Sequence, residues 1–62
     1  MAFAARLRAA REAAGWSQAE LAQAAAVGER TVQRAENGRH VRPAIRAAIV
    51  GVLPELAGVV GE

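Results

Sequence analysis

The run Trp16-Ser17-Gln18-Ala19-Glu20-Leu21 constrains this chain more than any other part of it. The Ser17 hydroxyl can accept from the amide of Glu20, the Glu20 carboxylate can reach back to the amide of Ser17, and Trp16 can pack on Leu21. Capping box and hydrophobic staple coincide, and together they start a helix sharply at Gln18. Gly15 stands just before them, a residue that tolerates the left-handed conformation with which helices commonly close. One helix therefore ends and another begins within a single tight turn.

The rest of the chain reads outward from that point. Over residues 2–14, Phe3, Leu7, Ala10 and Ala14 are spaced four, three and four apart, one stripe of an α-helix. The capped second helix covers residues 18–25, with Leu21, Ala22 and Ala25 inward. Ala26-Val27-Gly28 breaks it, and Gly28 is an acceptable N-cap for a third helix over residues 29–37. Gly38 stops that helix and residues 39–42 form a loop. Pro43 opens a fourth helix at the position where a missing amide costs nothing, with Ile45, Ile49, Val52 and Leu53 as its apolar face. Pro54 ends or bends it, and the tail from Glu55 adds at most one short turn. The expected fold is all-α: a compact bundle of four to five short helices in one domain, residues 1–62. A helix-turn-helix occupies about residues 17–38 and a C-terminal helical segment about residues 43–60.

Size and composition exclude several function classes. A chain of 62 residues hides only about 60% of its unfolded surface, which leaves little room for a deep catalytic cleft. Hydrophobic residues make up 53%, but many are alanine and only Phe3 and Trp16 are aromatic, so packing relies on close helix contacts. Cysteine is absent and His40 is the only imidazole, so disulfides, thiolate chemistry and cysteine-type zinc sites are excluded. Ser17 is accounted for as a cap, and no third orienting group joins it and His40 in a hydrolase arrangement. No enzyme activity, cofactor, metal or small-molecule substrate is expected. Arg46, Pro54 and Glu55 interrupt the apolar stretch over residues 44–60, so neither a signal peptide nor a membrane span fits and an intracellular soluble protein is expected.

The third helix carries the functional information. With Glu29 at zero and about 100° per residue, Ala35 falls at about 240° and Val32 at about 300°, so the buried side centres near about 270°. The opposite face holds Gln33, Asn37, Arg30 and Arg34, with Glu29 on one flank and Thr31 nearer the other. Arginine can bind the major-groove edge of guanine bidentately and glutamine that of adenine, each pair giving roughly 1 to 3 kcal/mol of discrimination. A helix burying only Val32 and Ala35 would also have a solvated polar face with no partner at all. The short preceding helix and its tight break tip the balance, because two helices so joined form the unit that enters the major groove. Glu36 falls on the border of the core, where a charge needs a partner. Arg11 on the first helix is the candidate; the alternative is that both point to water.

The stretch LRAAREAAGWSQAELAQAAAVGERTVQRAENGRHVRP resembles the lambda-repressor-like, Cro/Xre family of helix-turn-helix domains from about Leu7 to Pro43. Leu7, Arg11 and Gly15 stand where that family has its first-helix leucine, arginine and closing glycine. Ser17, Gln18, Leu21 and Ala22 look like its "SQxxLA" segment, and Val32, Glu36, Asn37 and Gly38 like its "I/V-x-x-x-E-N-G" ending. The resemblance implies that Glu29, Arg30, Gln33 and Arg34 occupy base-reading positions. It implies that Gln18 binds phosphate or braces the recognition helix, that Asn37, Arg39 and Arg42 hold the sugar-phosphate backbone with Thr31 beside them, and that Arg11 and Glu36 form an inter-helix ion pair. Two positions depart from the pattern. Ala26 stands at the usual turn glycine, where a left-handed backbone would cost alanine roughly 1 to 2 kcal/mol. Gly28 replaces a capping serine or threonine, removing a hydroxyl. Glu29 has two readings: an acceptor for a cytosine amino group, or a charge that favours the helix N-terminus.

The formal net charge is only +2, but arginines 30, 34, 39, 42 and 46 outnumber Glu29 and Glu36 in the same stretch, so positive charge gathers where the resemblance puts DNA. The expected function is sequence-specific recognition of double-stranded DNA at an inverted-repeat operator, with transcriptional regulation as its outcome. Cytoplasmic location on a bacterial or phage nucleoid fits the alanine and arginine bias. Val50, Val52, Leu53, Leu56, Val59 and Val60 offer more apolar surface than four short helices need; the excess is either core or a homodimer contact, and the dimer is favoured because paired half-sites gain from symmetry. A protein-interaction module, such as an antitoxin-like domain docking through this segment, is the alternative function. A third reading is a DNA-binding fragment whose sensing domain lies elsewhere.

Overall fold

A computed structural model describes residues 3–58. Its elements are α1 (Phe3–Ala13), α2 (Gln18–Ala25), α3 (Glu29–Glu36) and α4 (Pro43–Val52), followed by a 3-10 helix (Pro54–Gly58). All described regular structure is helical. No helix among the described residues is long and apolar enough to cross a membrane.

Each of the four α-helices contributes one side chain of 0% exposure to the centre: Leu7, Leu21, Val32 and Ile49. Phe3, Ala10, Ala22, Ala25 and Ala35 surround them. The four alanines let helix backbones approach closely, which is how a chain with two aromatic residues fills its interior. α3 packs chiefly on α2 and then on α1, while α4 closes over α2.

Three helix ends share one hydrogen-bond pattern. After α1, the Trp16 amide donates to the Arg11 carbonyl at 3.1 Å and the Gly15 amide to Glu12 at 3.0 Å. After α2, Val27 donates to Ala22 at 2.9 Å and Ala26 to Gln23 at 3.2 Å; after α3, Arg39 donates to Arg34 at 3.0 Å and Gly38 to Ala35 at 3.3 Å. Each is a Schellman closure, and each puts one residue in the left-handed region: Gly15 at φ 77°, Ala26 at φ 59° and Gly38 at φ 82°. Ala26 therefore bears the strain that the turn geometry implies for a residue with a Cβ, roughly 1 to 2 kcal/mol.

The start of α2 carries the full reciprocal cap. The Glu20 amide donates to Ser17 Oγ at 3.0 Å and the Ser17 amide to a Glu20 carboxylate oxygen at 2.8 Å. Trp16 packs half-buried against the core. α3 has no such cap: Gly28 is extended and makes no side-chain bond.

Several boundaries differ from the sequence expectation. Ala14 is exposed, because the chain leaves the helical path at the closure around Gly15. Ala2 lies outside the described residues. α3 ends at Glu36, with Asn37 at φ −90°, ψ 7° as its C-cap. Leu53 leaves α4 at φ −129°, ψ 74°, as the residue before a proline is pushed out of the helical region. The final turn begins at Pro54 itself. Leu53 and Leu56 are both 2% exposed within the single chain, so these two belong to the core and are not available as a dimer contact. Val50 and Val52 pack half-buried against that core; Val59 and Val60 lie outside the described residues.

Candidate nucleic-acid interface

α3 has only eight residues, and its two buried side chains, Val32 and Ala35, fix which way it faces. Three positions apart, they leave Glu29, Arg30, Gln33, Arg34 and Asn37 all exposed on the other side, with Thr31 half-buried at the edge. Arg39 and Arg42 follow in the loop, both exposed. Arg30, Gln33, Arg34, Asn37, Arg39 and His40 line one open concavity, so the helix face and the loop form a continuous surface. The Schellman closure at Gly38 produces that continuity, because it turns the chain back beside the end of α3.

The helix is held from behind by a polar network. Arg11 Nε donates to Glu36 Oε2 at 2.6 Å and Arg11 Nη2 donates to Oε1 at 3.1 Å, a two-point contact between α1 and α3. Arg11 Nη1 also donates to the Trp16 carbonyl at 2.7 Å. Gln18, at the first position of α2, donates from Nε2 to Glu36 Oε1 at 3.1 Å. One carboxylate thus ties three helices together. The Glu36 side chain is 4% exposed and that of Arg11 11%, so both charges are largely removed from water and each needs its partner. The hydrogen bond to Glu36, more than any other influence, raises the Arg11 guanidinium above its ordinary value against the opposing effect of burial, so this cation stays charged wherever the fold persists.

Of the two roles open to Gln18, the geometry has it bracing α3 through Glu36. Glu29 sits in the first turn of α3 and Arg34 in the last, the ends at which the helix dipole favours a negative and a positive charge respectively. Two participants carried little sequence signal. The Trp16 carbonyl is a backbone acceptor whose orientation comes from the turn after α1, which no side-chain pattern reports. Arg46 on α4 stacks over Phe3 with its guanidinium 4.3 Å from the ring centroid and lines a concavity together with Arg39 and His40; its position in the run of five arginines was the available hint. Among the described residues, no three His, Cys, Asp or Glu side chains gather into a metal-binding group.

The sequence profile of the helix-turn-helix domain family matches residues 2–61, nearly the whole chain. The chain belongs to the helix-turn-helix domain family. No curated protein and no solved structure matches it. For a helix-turn-helix domain, α2 and α3 with the break at residues 26–28 are the unit that gives the family its name, and DNA is the partner that such a unit implies. The exposed face of α3 is the surface it would offer.

Proposed function

We propose that this helix-turn-helix domain binds double-stranded DNA sequence-specifically, with α3 in the major groove, and acts in transcriptional regulation as a lambda-repressor-like, Cro/Xre-type module. The observation that carries the reading is the set of five exposed polar side chains on one face of α3, backed by Val32, Ala35 and the Arg11–Glu36 contact. Rigid backing matters, because base readout requires side chains held in register on the groove floor.

In this reading Arg30, Gln33 and Arg34 meet base edges, with Arg30 and Arg34 suited to guanine and Gln33 to adenine. Glu29 borders them and either accepts from a cytosine amino group or favours the N-terminus of α3. Asn37, Arg39 and Arg42 hold phosphates on one side, and Thr31 borders them. Gln18 acts through Glu36. Binding as a pair on an inverted repeat, with the half-buried Val50 and Val52 at the C-terminal segment, belongs to the same proposal; light scattering that finds one chain on a duplex carrying two half-sites contradicts the pairing.

Phosphate contacts and base contacts leave different signatures. Titration of a duplex at increasing salt is expected to give a steep fall in affinity, and Arg39→Ala or Arg42→Ala to lower the log-log slope by about 0.9 each. Both variants should weaken binding to all duplexes alike, since phosphates carry no sequence. A loss confined to one sequence contradicts the backbone role. Absence of any salt-dependent duplex binding contradicts the proposed function.

A further inference from the structure

His40 lies in the loop between α3 and α4, and three surface concavities meet at it. One is the surface formed by Arg30, Gln33, Arg34, Asn37 and Arg39. The second includes Thr31, Arg34, Arg42 and Ile45, and the third includes Phe3, Arg39 and Arg46. His40 lines all three.

The charge presented to it is of one sign. α3 contributes Arg30 and Arg34, the loop Arg39 and Arg42, and α4 Arg46, while α1 contributes only Phe3 and Ala4. Among the described residues, no carboxylate lines any of the three concavities. Glu36, the acid nearest in sequence, is turned toward Arg11 on the other side of α3. Five guanidinium groups around one imidazole, with no carboxylate among them, call for an extended anion with closely spaced charges. A duplex backbone has that form, with one charge per about 1.7 Å of helix axis.

We infer that His40 is a further contact to the DNA backbone, taking a phosphate at the junction of α3 and the 37–42 loop, and that it does so chiefly as the imidazolium. The inference rests on the duplex-binding reading and adds a pH dependence to it. A phosphate beside the ring favours the charged form. Binding then takes up a proton, and by linkage affinity rises as pH falls through the ordinary imidazole range near about 6.5. The arginines cannot produce this effect, because they stay charged throughout that range.

The test is a fluorescence-anisotropy titration of one fixed duplex with the whole chain, its His40→Gln variant and its His40→Arg variant. It is run at about pH 6 and about pH 8, either side of the imidazole range, and at several salt concentrations. The expected result is wild-type binding about three- to fivefold tighter at the lower pH, the scale of one exposed ion pair, with a salt slope steeper by up to about 0.9. His40→Gln should bind equally at both pH values, at the weaker level. His40→Arg should bind at both with the tighter affinity. His40 is exposed, so unchanged far-UV circular dichroism is expected of both variants. Wild-type binding that does not change with pH overturns the inference, as does a pH dependence that survives intact in His40→Gln. Failure of all three proteins to bind duplex at either pH overturns the duplex-binding reading, and this inference with it.

Discussion

Arg11→Ala is expected to lower the unfolding free energy by about 3 to 5 kcal/mol. A 62-residue chain has only about 3 to 9 kcal/mol in total at the usual stability per residue, so much of the variant should be unfolded at room temperature. The size of the effect follows from what remains behind. Removing the guanidinium deletes both contacts to Glu36 and the contact to the Trp16 carbonyl. It leaves a carboxylate on a side chain of 4% exposure with Gln18 as its remaining hydrogen-bond donor. Urea unfolding followed by circular dichroism measures the loss directly; a loss below about 1 kcal/mol would mean that the pair behaves as an exposed one. The double replacement Arg11→Met with Glu36→Leu should recover most of the stability, since well-packed apolar groups often replace a buried pair without loss.

Leu56→Ala is expected to cost about 2 to 5 kcal/mol, the range for emptying a buried leucine site. The side chain is 2% exposed in one chain alone, in a short helix that packs against α1 and α4. The penalty should therefore be the same at low and high protein concentration. A melting temperature that rises with concentration in the wild type, and loses that dependence in Leu56→Ala, would instead make Leu56 part of a contact between chains. The two explanations of the apolar C-terminal excess are separated by this comparison. For Leu53 and Leu56 the structure already favours the core, because both are covered before any second chain is added.

These two residues mark where the sequence was legible and where it was not. Around Ser17 and Glu20 every local preference agreed, and α2 has the bounds that its cap and its break require. The facing of α3 could be read because two inward residues, Val32 and Ala35, suffice to orient a short helix. The fate of Leu53 was less accessible: periodicity put it on α4, whereas Pro54 removes it from the helix and the chain then folds it back into the core. A hydrophobicity pattern records that a side chain is to be buried, without specifying what buries it. The same limit applies to the polar network. Facing flanks of α1 and α3 made Arg11 and Glu36 candidate partners, but the bonds to the Trp16 carbonyl and to Gln18 depend on a turn geometry and a helix crossing. Neither leaves a periodic trace. At Ala26 the residue type opposed the left-handed backbone, and tertiary context overrode it.

The central claim is that the exposed face of α3 reads base sequence. Selection from a randomised duplex pool at moderate salt, carried out in parallel with the wild type, Arg30→Ala and Arg34→Ala, tests it most directly. Both side chains are exposed, so the fold should survive either change. The account predicts enrichment of a short motif by the wild type, and relaxation of that preference at a guanine position in one or both variants, by roughly 1 to 3 kcal/mol. No enrichment, or the same motif enriched with equal preference by all three proteins, would contradict it.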